Sequence, residues 1–322
     1  CIGAAREDGF HELLTVYQTI GLHDLIGVSL RRGSGIEIRC DDPRVPKDES
    51  NTCYRVVEKA MRVLNCNGRV VIEIEKRLPV QGGMGGASSN AIAALIALER
   101  VVKKTLPAEE KLRIAAEVGS DLPLFLIGGT VLGVGRGEQV YPLADLLAMA
   151  CVVVTPEVGV STPKAFAEWD RMQSVLAAGT VDREAAATQA RSAKLTVPGS
   201  SDRMSELGRG LSAWLSKSYS GAPFRRGRAE NPLLELVRAG IKNDFEEVVF
   251  PEYPELSEVK SALEREGAKY ASLSGSGSAL YGLFASKEAA RAAVTKLRRQ
   301  GCAAQATVTL TRREYWRRIF AG

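Results

Sequence analysis

The chain has 322 residues, 45% of them hydrophobic and 25% charged; at roughly 150 residues per domain, two domains with a core each are expected. Its 43 Lys and Arg against 38 Asp and Glu leave a formal charge of +5 spread along the chain, too mild a balance for a nucleic-acid binder. The longest uncharged apolar run, Leu146 to Val154, is less than half of the ~20 residues that cross a bilayer, so a soluble chain with no membrane helix is expected.

The six cysteines, Cys1, Cys40, Cys53, Cys66, Cys151 and Cys302, form no CxxC pair and no disulfide-scaffold pattern. Free thiols in a reducing, cytoplasmic compartment are expected. The chain opens on Cys1 rather than Met, with no basic region followed by an apolar one; this predicts no signal peptide and a missing segment upstream.

In chain order, DGFHELLTVYQ (8–18) alternates into a strand and carries Phe10 beside His11, one of only two histidines. Such a histidine is either structural or, with its aromatic neighbour, a partner that stacks on and hydrogen-bonds a base. Metal binding is not expected, because His23 has no Cys or carboxylate cluster near it. RVVIEIE (69–75) reads as a strand with one wet face, stopped by Pro79 and a glycine cluster. From Ser88 the pattern SSNAIAALIALERVV is an amphipathic helix that Ser88 or Ser89 can cap.

Between strand and helix, PVQGGMGGASSN (79–90) holds four glycines. Glycines let backbone N–H groups converge on an anion, and a helix N-terminus adds positive dipole, so a phosphate-binding loop is expected over a plain glycine turn. No Lys follows the glycines and GxGxxG is not completed, so neither common nucleotide motif fits.

A short helix is predicted over 107–118. GSDLPLF (119–125) then sets Asp121 before an apolar segment, where it is either a helix cap or a carboxylate that orients or deprotonates an attacking hydroxyl. Residues 124–132 read as an apolar hairpin-like stretch broken at Gly128 and Gly129, and 148–155 as a buried strand. We place the domain boundary near Leu147. The interval 171–230, rich in Ala, Ser, Gly and Arg, reads as helices such as 204–215 joined by loops, with Arg225, Arg226 and Arg228 on a solvated loop.

The rest alternates: helix 256–266, strand 270–274, strand 280–284, helix 287–300 and strand 304–309, a βαβ-like α/β layer. Its glycine turn SLSGSGSALYGLF (272–284), with Gly275, Ser276 and Gly277, is either a plain hairpin or the second half of a phosphate clamp. No internal repeat or low-complexity tract stands out.

Four segments agree in order and spacing with one family. DGFHELLTVYQTI, NTCYRVVEKA with KRLPVQGGMGGASSNAIAAL, GSDLPLFLIGGTVLGVGRGEQVYPL, and ASLSGSGSALYGLF together resemble the 4-diphosphocytidyl-2-C-methyl-D-erythritol kinases of the galactokinase, homoserine kinase, mevalonate kinase and phosphomevalonate kinase (GHMP) superfamily. The glycine loop alone indicates the superfamily; DGFHEL, GSDLP and GRGEQ narrow it. The resemblance leaves out chiefly 171–230, which is longer than the family's usual connection.

It implies an α+β fold with a ribosomal-protein-S5-like N-terminal domain (1–147), which binds ATP, and a ferredoxin-like C-terminal domain (148–322) with a lengthened segment at about 171–230. The reaction implied is ATP-dependent phosphorylation of the 2-hydroxyl of the cytidine diphosphate substrate in non-mevalonate isoprenoid synthesis. By position, Pro79, Val80, Gln81, Gly82, Gly83, Met84, Gly85, Gly86, Ala87, Ser88 and Ser89 would hold the ATP phosphates. Asn51 and Lys76 would lie near the adenosine, and Asp121 would be the base. Phe10 and His11 would meet cytosine, with Phe166 on its other face and Thr162 and Pro163 lining the site.

Mg²⁺ is the expected companion of ATP, with no dedicated protein metal site. A small-molecule substrate, no nucleic acid, no membrane, and a monomer or homodimer complete the expectation. Two departures stand out: Ala87 where the family loop has glycine, and no PAKINL-type strand with its catalytic lysine before Cys1. The alternatives are another kinase of the superfamily, of homoserine or mevalonate type, or a nucleotide-binding protein without catalysis.

Overall fold

The computed structural model describes residues 1–80, 82–145, 147–187, 204, 209 and 242–320. The expectations for Gln81, for the helix 204–215 beyond two of its residues, and for Arg225, Arg226 and Arg228 fall outside them.

The first part of the chain is built on short antiparallel pairings. β1 (Ile2–Ala5) pairs with β2 (His11–Leu13), and β3 (Thr15–Gln18) lies antiparallel to β7 (Thr130–Val134), which pairs with β8 (Gln139–Pro142). A second sheet has β6 (Arg69–Glu75) in the middle, antiparallel to β4 (Leu25–Arg31) and parallel to β5 (Gly35–Cys40). β6 matches its predicted span: Val70, Val71, Ile72 and Ile74 are buried while Glu73 and Glu75 are exposed, as a central strand with one partly wet face demands.

Three helices cover that sheet: α1 (Thr52–Leu64), α2 (Gly86–Val102) and α3 (Ala108–Val118). Val56, Val57, Ile72, Ile92, Leu95, Leu98 and Ile114 close one core among them. At roughly 25 cal/mol per Å² of apolar surface, each such fully buried aliphatic side chain contributes about 1.5–3 kcal/mol.

The stretch 124–132 is not hairpin-like. Leu122–Ile127 form a short helix, α4, with Pro123 in its first turn, and the chain becomes strand only at Thr130. An apolar run this short carries no period that separates buried helix from buried strand. What ends α4 is Gly128, at φ 71, whose missing Cβ leaves room for the Tyr315 ring. Tyr315 belongs to α9 (Arg312–Arg318), opened by a capping box of Thr311 and Glu314. Its hydroxyl donates to Phe125 O at 2.7 Å and Trp316 Nε1 to Ile127 O at 3.0 Å, which satisfies carbonyls at the end of α4.

The second sheet system has the order β10-β11-β9-β12, with β9 (Ala150–Val154), β10 (Tyr270–Leu273), β11 (Leu280–Phe284) and β12 (Ala304–Val308), every neighbouring pair antiparallel. β11 and β12 therefore flank β9 and run parallel to each other, joined through α8 (Lys287–Arg299). This is the split βαβ arrangement of ferredoxin-like folds, rather than adjacent parallel strands. α5 (Thr162–Ala187), α6 (Glu246–Glu252) and α7 (Pro254–Arg265) complete the layer.

Trp169, Phe284, Leu256 and Leu263 anchor its core, to which Ile2 of β1 also belongs, while Leu310 and Tyr315 pack into the first core. The two parts are thus stitched together at both ends of the described chain. All six cysteines are free thiols, and burial pushes those of Cys53 and Cys151 up to about 12.

Candidate active site

A cleft of about 1590 Å³ runs between the two parts of the molecule, and both glycine turns face it. α2 begins at Gly86 with Gly85 as its N-cap at φ 66, and no side chain caps it. Ser88 and Ser89, expected as caps, instead lie inside the first turn, where Ser89 N–H makes the first intrahelical bond, to Gly85 O at 2.8 Å. The helix therefore presents N–H groups and its positive dipole end to the cleft with no protein carboxylate or hydroxyl competing for them at the cap.

The second turn closes on the first. Ser274 Oγ donates to Gly83 O at 2.9 Å, Ala279 N–H donates to Gly82 O at 3.2 Å, and a Cβ at Gly83, which has φ +68, would lie 2.4 Å from Gly277 O. Only two glycine turns in backbone contact fit here. Asn243 Nδ2 donates to Leu273 O and to Gly275 O at 2.7 Å, and the hydroxyls of Thr162 and Ser276 meet at 2.7 Å, so α5 enters the cleft beside the same turn.

The loop is held from below by Asp24, a residue without local signal in the sequence. Its carboxylate, fully buried, accepts from Lys76 Nζ at 2.6 Å, from the N–H of Arg77 and Leu78, and from Asn90 Nδ2 at 2.7 Å. Burial alone raises its pKa, but the lysine charge and these donors outweigh that and hold it below the usual carboxylate value. Lys76 is thus bound to Asp24. Asn51 is committed as the N-cap of α1, accepting from Cys53 N–H at 2.9 Å while its amide donates to Pro46 O. Neither Lys76 nor Asn51 lines the cleft, whereas Gly83, Met84, Gly85, Gly86, Ser88 and Ser89 do. Pro79, Val80, Gly82, Ala87 and Pro163 are not among the lining residues.

Asp121 sits at the N-cap position of α4, yet its side chain makes no capping bond. It turns into the cleft, where Tyr17 Oη donates to Oδ1 at a long 3.3 Å. Solvent reaches the carboxylate through the cleft mouth, but protein surrounds it elsewhere, and that burial pushes its pKa above the ordinary value while the Tyr17 bond opposes the rise. Burial also drives the Tyr17 hydroxyl well above its normal range, so it stays a neutral donor.

At the other end of the cleft, Phe166 of α5 stacks on His11, centroids 4.6 Å apart and planes 14° from parallel, with Phe245 edge-on to Phe166 at 5.0 Å. Phe10 is half exposed, with the Arg136 guanidinium 4.8 Å from its ring centroid. His11, rather than Phe10, is therefore the ring that faces Phe166. Tyr17 lies within DGFHELLTVYQ, where nothing singled it out, while Asp24, Asn243 and Asp170, which contacts His11, had no motif to mark them; only Asp170, one helical turn after Phe166, had a usable spacing. Among the described residues no helix is long and apolar enough to cross a membrane, and no cluster of three or more His, Cys, Asp or Glu side chains is placed to hold a metal.

The uncapped helix, glycine clamp and cleft-facing carboxylate over this α+β fold define a kinase of the GHMP class. Residues 51–129 match the GHMP kinases N-terminal domain and 228–302 the GHMP kinases C-terminal domain. The 4-diphosphocytidyl-2-C-methyl-D-erythritol kinase of Solibacter usitatus (strain Ellin6076) is 34% identical over 284 residues, covering 88% of this chain and 77% of the relative. A crystal structure of 4-(cytidine 5'-diphospho)-2C-methyl-D-erythritol kinase superposes with a TM-score of 0.67 at 27% identity, over 96% of this chain and 94% of that one. A homoserine kinase from Cytophaga hutchinsonii reaches a TM-score of 0.66 at 19% identity, over 92% and 89%, which speaks to the fold alone. The chain belongs to the 4-diphosphocytidyl-2-C-methyl-D-erythritol kinase family.

Proposed function

We propose that this chain transfers the γ-phosphoryl group of ATP to the 2-hydroxyl of 4-diphosphocytidyl-2-C-methyl-D-erythritol. The observation that carries the reading is the Asp121 carboxylate, free of any cap bond, in the same cleft as the uncapped N-terminus of α2. Phosphoryl transfer needs little covalent help from protein; it needs the phosphates held, the hydroxyl oriented and the charge stabilised.

In this reading the first-turn N–H groups of α2 and the turn at Gly275, Ser276 and Gly277 hold the phosphates. Asp121 accepts the proton of the attacking hydroxyl as the O–P bond forms, and the bond from γ-phosphorus to the bridging oxygen breaks to release ADP. A carboxylate with a raised pKa is the better base, since its affinity for the proton lies closer to the working pH. Tyr17 holds the carboxylate in orientation.

A magnesium ion suits this donor set. It keeps water and phosphate oxygens and asks a protein for one or two ligands, which the hydroxyls of Ser88 and Ser89 can offer at the cleft. When bound, such an ion neutralises charge on the phosphates.

The cytidine end falls to Phe10, His11, Phe166 and Thr162, which line the same cleft. Lys76 serves the nucleotide indirectly, through Asp24 and the glycine loop, and the boundary between the two domains lies near Leu147, before β9. Following ADP release with the cytidine substrate, its uridine analogue, homoserine and mevalonate tests the assignment. Preferred turnover of the cytidine compound is expected, and preference for homoserine or mevalonate leaves only the superfamily standing.

A further inference from the structure

His11 is buried, and its Nε2 lies 2.7 Å from Asp170 Oδ1. Asp170 is on the same face of α5 as Phe166, four residues further on, so one helix supplies both the ring stacked on His11 and the carboxylate at its edge. With Phe245 edge-on behind Phe166, the imidazole is fixed in plane and in rotation. A carboxylate oxygen only accepts, so the hydrogen in this bond is on Nε2, and in the neutral ring the other nitrogen, Nδ1, is then bare. His11 lines the cleft, and its Nδ1 has no hydrogen-bond partner among the described residues.

We propose that Asp170 is a positioning residue for base recognition: it locks His11 in the Nε2–H tautomer, so that Nδ1 is an acceptor aimed at the exocyclic amino group of cytosine. The proposal rests on the cytidine reading above and adds how the site tells cytosine from uracil. Cytosine carries an amino donor at the position where uracil carries a carbonyl acceptor, and an acceptor held on Nδ1 pairs with the first and repels the second. Without the carboxylate both tautomers are available, and a ring with a hydrogen on Nδ1 accommodates the uracil oxygen. Asp170 itself is half exposed, as suits a residue that acts on its neighbour rather than on the core.

The test uses the fact that the chain has two histidines. The other, His23, has Nδ1 2.8 Å from Gly21 O; a carbonyl also only accepts, so His23 carries the opposite tautomer and is an internal reference. With ¹⁵N-histidine-labelled protein, long-range ¹H–¹⁵N correlation reads both rings, and H23Q assigns them. The expected result is a bare Nδ1 and protonated Nε2 at His11; an Nδ1–H ring or an imidazolium at neutral pH overturns the proposal without any variant.

Asp170→Asn should then mix the His11 tautomers and lower the ratio of kcat/KM for the cytidine substrate over its uridine analogue by about ten-fold, the loss falling in KM for the cytidine compound rather than in kcat or in KM for ATP. A ratio that stays put while the tautomer mixes also overturns it. A wild type with no preference for cytidine is a different result: it removes the cytidine reading, whatever the tautomer of His11.

Discussion

In the proposed reading the surfaces at the phosphate end of the cleft are backbone, with Gly83 against Gly277 and the bare first turn of α2, and the ion pair of Asp24 and Lys76 is buried beneath them. At the proposed base end they are side chains, Phe10, His11 and Phe166, the last two fixed by one hydrogen bond and two ring contacts. Backbone serves any phosphate and tolerates few substitutions, because a side chain added to a turn displaces the ligand or the opposing turn. Side chains distinguish one base from another and can be exchanged singly without disturbing the fold. On that reading the general chemistry and the particular substrate would be carried by different materials.

The contrast is broken most severely at the proposed general base. Asp121→Asn keeps the volume and the contact to Tyr17 but removes the proton acceptor, so kcat should fall by roughly 10²–10⁴ while both substrates still bind. Single-turnover rates with bound-substrate titrations check this, and a near-normal kcat would leave positioning alone to carry the reaction.

Next is the support beneath the loop. Asp24→Ala leaves the Lys76 ammonium buried without its partner and strips acceptors from Arg77, Leu78 and Asn90, at a cost of about 3–5 kcal/mol, read as a shifted denaturation midpoint. The pH dependence has a definite sign. The folded pKa of Asp24 is depressed, so its contribution is fully present above the unfolded carboxylate pKa of about 3.9 and is lost as pH falls below that through the folded value. The wild type should lose this increment only in acid, and Asp24→Ala should lack that part of the acid transition.

Gly83→Ala places a Cβ on the Gly277 carbonyl in a left-handed conformation that costs a non-glycine residue about 1–2 kcal/mol before the clash is counted. It should raise KM for ATP and lower Tm together. At the other end, Phe166→Ala should raise KM for the cytidine substrate by roughly ten-fold, the magnitude of about 1–3 kcal/mol for a lost base-stacking ring, and leave KM for ATP nearly unchanged. A substitution at either end that moved both KM values equally would dissolve the distinction between them.

The smallest effect is at Tyr17. Tyr17→Phe removes the donor that favours ionised Asp121 and opposes the rise that burial imposes on its pKa, so an acid limb of kcat set by Asp121 should move up in pH with less than a ten-fold change at its plateau. A limb that moves down would separate Tyr17 from the base.

Much of this was legible in the chain. Strand β6, the glycine loop and α2 follow one another within 69–102, and their signals are local: alternation, glycines, then a helical period. Strands β9 to β12 and the second glycine turn were recognisable for the same reason. The helical state of 122–127 was not, since six residues hold too little periodicity and the glycine that ends them is set against Tyr315, nearly 190 residues away. Nor were the roles of Ser88 and Ser89 as interior residues rather than caps, which depended on the helix starting at Gly86.

Residue order by itself determined which peptide groups could turn, cap or continue, because those preferences depend on neighbours one to four positions away. It also marked Asp121 and the pair Phe10 and His11 as chemistry to be accounted for. Only the tertiary structure decided that Asp121 leaves its cap unmade and faces the cleft, that Asp24 reaches across 52 residues to bind Lys76, and that α5 brings Phe166 and Asp170 onto His11, Asp170 being 159 residues away. Contacts over such separations cost loop entropy that no local pattern records, and burial, which sets the strength and sign of the charges they join, exists only once the two cores have formed.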